Sequence, residues 1–272
     1  MNDKPLVSIV IPTCNSDRFL ERCLRSVKEQ SYYNIEIIVV DNYSTDRTRE
    51  IAERFADLVL LKGPERSAQV NFGVSRTHGE YVYRVDSDFA LEPTVVEEAV
   101  RKCEVEAFDA VCVHNTSDGS IGFWAMVRKL ERDCYAGDKL NVAARFFSKD
   151  VFRKVGGFDE GLVAGEDYDL HNQLIRNNYK IGYIRAKEVH MNEPKCLAEI
   201  AIKHYYYGRT LKEFLVANYA RGILQVSPLR PALLKKLGSN CKRPSLLIGF
   251  GIYQIVKYGA SGISFLLALI KT

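Results

Sequence analysis

Apolar residues in the first half of the chain fall into short β-branched runs separated by stretches of helical spacing. Residues 6–11 (Leu-Val-Ser-Ile-Val-Ile) form such a run, stopped by Pro12 and Thr13, the pattern of a buried parallel strand. Asn15, Ser16 and Asp17 supply caps for a helix over 18–30, where Phe19, Leu20, Cys23, Leu24 and Val27 recur on one face. A second strand is predicted over 35–41, closing on Asp41, and the turn at 42–46 caps a helix over 47–55. A short strand over 58–61, a helix over 67–77 and a fourth strand over 81–85 follow. Strands alternating with helices at this rhythm indicate a parallel sheet wound by right-handed crossovers.

The second half is less regular. It predicts a helix over 93–103, a strand over 110–113, a strand over 143–147 and a short helix over 149–155. The helix predicted over 121–135 is amphipathic, with Ile121, Trp124, Ala125, Met126, Val127 and Leu130 apolar and a charged opposite side; Trp124 is expected to pack. A turn over 156–161, too glycine-rich for regular structure, leads to a helix from 165 to 177 and a strand over 179–184. From Lys195 the composition changes: basic residues, Lys242 among them, far outnumber acids and are interleaved with Tyr205, Tyr206, Tyr207, Phe214 and Tyr219. Residues 246–270 are apolar except for Gln254 and Lys257. That length spans a bilayer, but a lysine near its middle is costly, so an interfacial helix and a helix packed on the domain are its rivals. The division expected is an α/β domain over 1–194 and a basic helical, membrane-associated extension over 195–272. Basic flanks ahead of Leu246 would hold the domain on the cytoplasmic face of the membrane.

Composition narrows the function class only a little. A net charge of +4 is too small to imply a nucleic-acid partner. Seven scattered cysteines, Cys241 the last, form no CxxC pair, which fits reduced cytosolic thiols and argues against zinc. The apolar run after Lys4 is too short for a secretory signal peptide. No GxGxxG follows the first strand and no GxxxxGK[ST] occurs, which disfavours dehydrogenases and P-loop enzymes.

The chemistry concentrates at strand ends. Tyr81 to Arg84 runs into Asp86-Ser87-Asp88, two carboxylates spaced i, i+2 that in extended chain point to one side. Such a pair leaves coordination positions open and suits Mg²⁺ or Mn²⁺ shared with substrate phosphates. Thr13, Asp41 and this pair would share the edge where wound α/β sheets bind nucleotides. Glu166 and Asp167 fall in the first turn of a helix, where acids also serve simply to cap the dipole.

Together, residues 7–13, 37–46, Arg66, Gly79-Glu80-Tyr81, Asp86-Ser87-Asp88, Gly156-Gly157-Phe158-Asp159 and Gly165-Glu166-Asp167 resemble glycosyltransferase family 2 over roughly residues 5–192. The resemblance implies the GT-A fold: a Rossmann-like, mostly parallel sheet flanked by helices. It also implies an inverting transferase using a nucleotide-diphosphate sugar and acting on a hydroxyl of a saccharide or lipid-linked saccharide. On it, Pro12, Thr13, Asp41, Arg66, Asp86 and Ser87 would bind the nucleotide sugar, and Asp88, with Asp86 and His190, the metal. Asp167 would be the general base with Glu166 beside it. Asn42 departs from the second aspartate many members carry there. The alternatives are a polyprenyl-phosphate glycosyltransferase, a sugar nucleotidyltransferase, or a catalytically silent nucleotide-sugar-binding or scaffold protein. The nucleotidyltransferase lacks its glycine- and arginine-rich loop here, and the scaffold would be favoured if Asp167 faced away from the crevice.

Overall fold

The computed structural model describes residues 4–240 and 243–270; Cys241 and Lys242 lie outside the described residues. The described residues form one eight-stranded sheet in the order β3-β2-β1-β4-β7-β6-β8-β5. Its strands are β1 (Val7–Thr13), β2 (Ile35–Asp41), β3 (Leu58–Leu61), β4 (Tyr81–Arg84), β5 (Phe89–Leu91), β6 (Ala110–Ser117), β7 (Ala144–Ser148) and β8 (Ile181–His190). The interleaved helices are α1 (Asp17–Lys28), α2 (Thr48–Phe55), α3 (Arg66–Val74), α4 (Val95–Glu106), α5 (Phe123–Cys134), α6 (Lys149–Lys154) and α7 (Glu166–Arg176).

Alternation along the strands builds two apolar layers. Val7, Ile9 and Ile11 of β1, with Ile37 and Val39 of β2, face α1, α2 and α4. Val10, Ile38 and Val40 face α3, α6 and α7 on the other side. The β1, β2 and β4 pairings are parallel and set Thr13 opposite Asp41 and Val10 opposite Arg84, so their polar ends share one edge. The second half departs from the pure parallel pattern: β7 runs antiparallel between β4 and β6. Two features were not legible as separate elements. β5 immediately follows the two acids, and β8 extends through His190 rather than stopping at Ile184. Both exist because β5 pairs antiparallel with the end of β8, setting Phe89 opposite His190.

The remaining helices are α8 (Leu197–Tyr207), α9 (Leu211–Ala217), α10 (Tyr219–Val226), α11 (Pro231–Asn240) and α12 (Pro244–Ile270). They pack back onto the sheet domain. By length and composition α12 can cross a membrane, yet one of its faces is docked. Gly249 sits so close to Phe123 and Val127 that a Cβ would meet them at 2.6–2.9 Å. One turn on, the Tyr253 hydroxyl lies 3.2 Å from His204 Nε2, and the next turn puts Lys257 Nζ 2.8 Å from Glu131 Oε1. Ser261 then donates to the His204 carbonyl at 3.0 Å. The opposite face, through Ile248, Ile252, Ile255, Ile263, Leu266 and Ile270, is exposed. The charged side of α5 is likewise not a solvated face, because α12 and the preceding segment cover it and leave Glu131 and Arg132 buried. Trp124 packs in the small cluster under α12.

Candidate active site

β4 delivers Arg84, which is 3% exposed despite its charge. Its Nη2 lies 3.2 Å from Asp86 Oδ1 and 2.9 Å from Glu166 Oε1, linking the strand end to the first turn of α7. From the adjacent β7, Arg145 donates to Asp86 Oδ2 at 2.9 Å, while its Nε lies 3.2 Å from Glu188 Oε1 on β8. Burial opposes ionisation of Asp86, but Arg145, Arg84 and Arg66 outweigh it and hold the carboxyl well below the usual range. Both oxygens of Asp86 are therefore engaged by arginines.

Asp88 has different company. Its Oδ2 lies 3.2 Å from His190 Nε2, an approach made possible by the β5–β8 pairing and by the Met191 amide donating to the Asp88 carbonyl at 2.8 Å. The other ring nitrogen, Nδ1, lies 2.9 Å from Glu193 Oε1. Glu193 also accepts from Ser117 Oγ at 2.5 Å and lies 3.1 Å from Arg132 Nη2. A carboxylate oxygen and an imidazole nitrogen converging on one point, with the ring steadied from behind by a second carboxylate, is a donor set that fits a divalent cation. Among the described residues no cluster of three or more His, Cys, Asp or Glu encloses a metal. The pair thus suits an ion that completes its shell with substrate oxygens, as Mg²⁺ commonly does.

Gly165, at φ +83°, turns the chain into α7 against the Phe214 ring, which a Cβ would approach to 2.9 Å. This sharp entry points Glu166 and Asp167 inward. Glu166 is buried, and Arg66 Nη2 reaches its Oε1 at 3.4 Å alongside Arg84. Burial resists its charge, but the two arginines prevail and lower its pKa. Asp167 is half-buried and, among the described residues, accepts only its neighbour's amide, from Tyr168 at 2.8 Å. Burial and then the charge of Glu166 raise its pKa, against weaker opposition from Arg84 and Arg145. Two adjacent acids are thus shifted in opposite directions, Glu166 towards the carboxylate and Asp167 towards the protonated form.

One cavity of about 430 Å³ brings Arg66, Asp86, Asp88, Glu166, Asp167 and His190 together. Pro12, Thr13, Asp41 and Ser87 do not line it. Pro12 and Thr13 are buried in β1. Asp41 is sealed, accepting from Thr13 Oγ1 at 3.0 Å, Ser44 Oγ at 2.5 Å and the Ser44 amide at 2.8 Å. Ser87 donates to Ser16 Oγ at 2.9 Å, bridging the acid pair to the start of α1. Sequence reasoning missed Arg84, Arg145, Glu188 and Glu193. The available signal was a lone charge inside an apolar strand: Arg84 after Tyr-Val-Tyr, and Arg145 before Phe-Phe.

A crevice at the ends of parallel strands, two acids after β4 and an acid pair opening α7, joined by arginines, define the GT-A class of nucleotide-sugar folds. The chain belongs to glycosyl transferase family 2, whose sequence model matches residues 8–156. An uncharacterized glycosyltransferase of Rickettsia typhi is 28% identical over 190 residues, covering 63% of this chain and 59% of that protein. Glycosyltransferase GlyG of Streptococcus pneumoniae is 32% identical over 130 residues, covering 44% and 43%. The chain thus spans less than two thirds of the length of these curated relatives. Among solved structures, a mannosyltransferase of Pyrobaculum calidifontis in complex with GDP-Man and Mn²⁺ superposes with TM-score 0.64 at 18% identity, covering 97% of this chain and 88% of that one. S. aureus TarS in complex with UDP-GlcNAc gives TM-score 0.57 at 18% identity, covering 96% and 89%. These likenesses show the fold.

Proposed function

We propose that the protein transfers a sugar from a nucleoside-diphosphate donor to a hydroxyl of a saccharide or lipid-linked saccharide, with inversion. The observation that carries this reading is that Asp88, His190 and Asp167 wall one cavity, with Asp86 and Glu166 fixed between them by arginines. A silent scaffold has no use for an inward-facing carboxylate of raised basicity beside that pair. The donor class fits the company of the fold: the P. calidifontis neighbour holds GDP-Man with Mn²⁺ and TarS holds UDP-GlcNAc.

In this reading Pro12, Thr13, Asp41 and Ser87 frame the nucleoside end, and Arg66, which lines the cavity, would reach the diphosphate. Asp88 and His190 would hold Mg²⁺ or Mn²⁺, which when bound offsets charge on the departing nucleoside diphosphate. Asp86, locked by Arg84 and Arg145, fixes the floor against which the donor sugar rests. Asp167 takes the proton of the attacking hydroxyl as the new bond forms. Glu166, held as the carboxylate by Arg66 and Arg84, does not take the proton itself, and its charge raises the basicity of Asp167. A single displacement inverts the anomeric centre and needs no protein nucleophile. Residues 1–194 are the catalytic unit. Residues 195–272 complete the acceptor side and attach the protein to the cytoplasmic face of a membrane through the exposed side of α12.

The test is the melting temperature of purified protein against a panel of nucleoside-diphosphate sugars, each with and without Mn²⁺ or Mg²⁺. A ligand that binds only the folded state raises the midpoint by mass action. A metal-dependent rise with one donor is expected, and Asp88→Ala should remove the metal dependence. No rise with any donor in folded protein would move the assignment to a scaffold.

A further inference from the structure

The cavity has a second end that donor chemistry does not use. Its catalytic end carries Asp86, Asp88, Glu166 and Asp167, whereas its tail end is walled by Arg128, Arg132, Arg230 and Lys257. Two carboxylates, Glu131 and Glu193, pair with three of these cations from behind, and neither of them lines the cavity. Arg230 is held by neutral groups: its Nε donates to the Ser227 carbonyl at 3.0 Å and its Nη1 to the Tyr135 hydroxyl at 3.0 Å. Arg132 is 8% exposed, and among the described residues its Nε is a buried donor without a hydrogen-bond partner. Four cations backed by two carboxylates leave this wall locally positive, and a buried donor without a partner costs free energy. Lys257 registers the crowding: burial, with Arg230 and Arg128 nearby, pulls its ammonium down to about 8 despite Glu131.

The position identifies which substrate would use these charges. α5, α11 and α12 approach the cavity from the β6 side, with β4 and β7 between them and the Thr13–Asp41 end of the sheet. Tyr168, next in sequence to Asp167, feels Arg230 and Arg128. An acceptor presenting a hydroxyl to Asp167 would therefore set the atoms beyond that hydroxyl among the cations. Planar guanidinium forks match phosphate oxygens bidentately, better than they match a neutral sugar.

We propose that Arg128, Arg132, Arg230 and Lys257 form a subsite for a phosphate or diphosphate borne by the acceptor, making the acceptor an anionic phosphate-bearing glycoside. This deepens the glycosyl-transfer reading and rests on it. The experiment is a calorimetric titration of protein saturated with Mg²⁺ and UDP or GDP, whichever the donor panel identifies. The probes are a hexose 1-phosphate, geranyl phosphate and the neutral methyl hexoside. The phosphates should bind alongside the nucleotide, about ten-fold or more tighter than the methyl hexoside, as charge-assisted bonds require. Arg230→Gln and Arg128→Gln should each remove about that ten-fold advantage while nucleotide affinity is retained. Two variants on different elements, both checked by circular dichroism, separate a lost contact from a lost fold. Tighter binding of geranyl phosphate assigns the phosphate to a lipid-borne acceptor, and equal binding assigns it to a soluble sugar phosphate; both retain the subsite. Phosphates that bind only without nucleotide would overturn it, since the cations would then serve the donor. So would phosphates that bind no better than the methyl hexoside. If neither nucleotide binds, the glycosyl-transfer reading is what fails, and titration of phosphate into the free protein and the two variants still decides the anion site.

Discussion

Glu166 and Asp167 are neighbours of nearly the same chemistry, and only their surroundings separate them. Arg84 and Arg66 face Glu166 and keep it ionised, while Asp167 has burial and the Glu166 charge to contend with. Replacing Asp167 by Asn should lower transfer by about 10²–10⁴ and leave donor binding intact, measured by turnover and by donor-induced thermal shift. Full turnover in that variant would remove Asp167 from the chemistry. The raised pKa also fixes the sign of the pH response. A base must be unprotonated to act, so the acid limb of kcat/KM should lie above the ordinary aspartate value of about 3.9. Stability should move the other way. A carboxyl whose folded-state pKa is raised favours the fold at low pH, and that contribution is lost as pH rises through the folded value. Asp167→Asn should therefore melt higher than the parent at pH 7, and the gap should close as the pH falls below the folded pKa of Asp167. A variant that melts lower at pH 7 would mean that the carboxylate is stabilised in the fold.

At the scale of elements, the Rossmann-like half was legible because buried parallel strands announce themselves as β-branched runs, and β1 to β4 lie where periodicity placed them. β5 was not legible, because three residues after a polar turn carry no period; the sheet, rather than local propensity, makes Phe89–Leu91 a strand. That strand is also what sets His190 beside Asp88, so the tertiary part of the site was hidden with it. The charged side of α5 reads as solvated in sequence because nothing local says that a helix more than a hundred residues later will cover it. The docking of α12 depends on Gly249, whose missing side chain admits Phe123 and Val127. Gly249→Val should crowd that contact and cost about 1–3 kcal/mol of local stability, the usual toll of overpacking. Hydrogen exchange should show faster exchange in α12 and α5 with β1 and β2 unchanged. Unaltered exchange in α12 would mean that the docked arrangement is not the dominant one.

Across the whole molecule, α12 divides into two surfaces of opposite kind, and the membrane attachment proposed above would therefore have the helix lie along the bilayer rather than through it. Residues 249, 253, 257 and 261 recur every four positions and bind α5 and α8, and they include the Lys257–Glu131 ion pair, which a spanning helix would have to carry into hydrocarbon. Ile248, Ile252, Ile255, Ile263, Leu266 and Ile270 recur on the other side, and Ile248 and Ile255 are 66% and 75% exposed. Exposed isoleucines in register over several turns gain free energy from an apolar contact, each by about 1.5–3 kcal/mol when fully buried. Basic residues of the same extension, including Arg209 and Lys212, would add attraction to anionic headgroups that salt screens. The protein should therefore co-sediment with phosphatidylglycerol-containing vesicles, more weakly as ionic strength rises. Paired Ile248→Glu and Ile255→Glu substitutions should reduce that binding by about ten-fold or more while donor-induced thermal shifts persist, because neither residue lies on the docked side. Equal vesicle binding by the parent and the double variant would show that this face does not meet lipid. The phosphate-bearing acceptor would then have to reach the cavity from solution, and geranyl phosphate should bind no tighter than the hexose 1-phosphate.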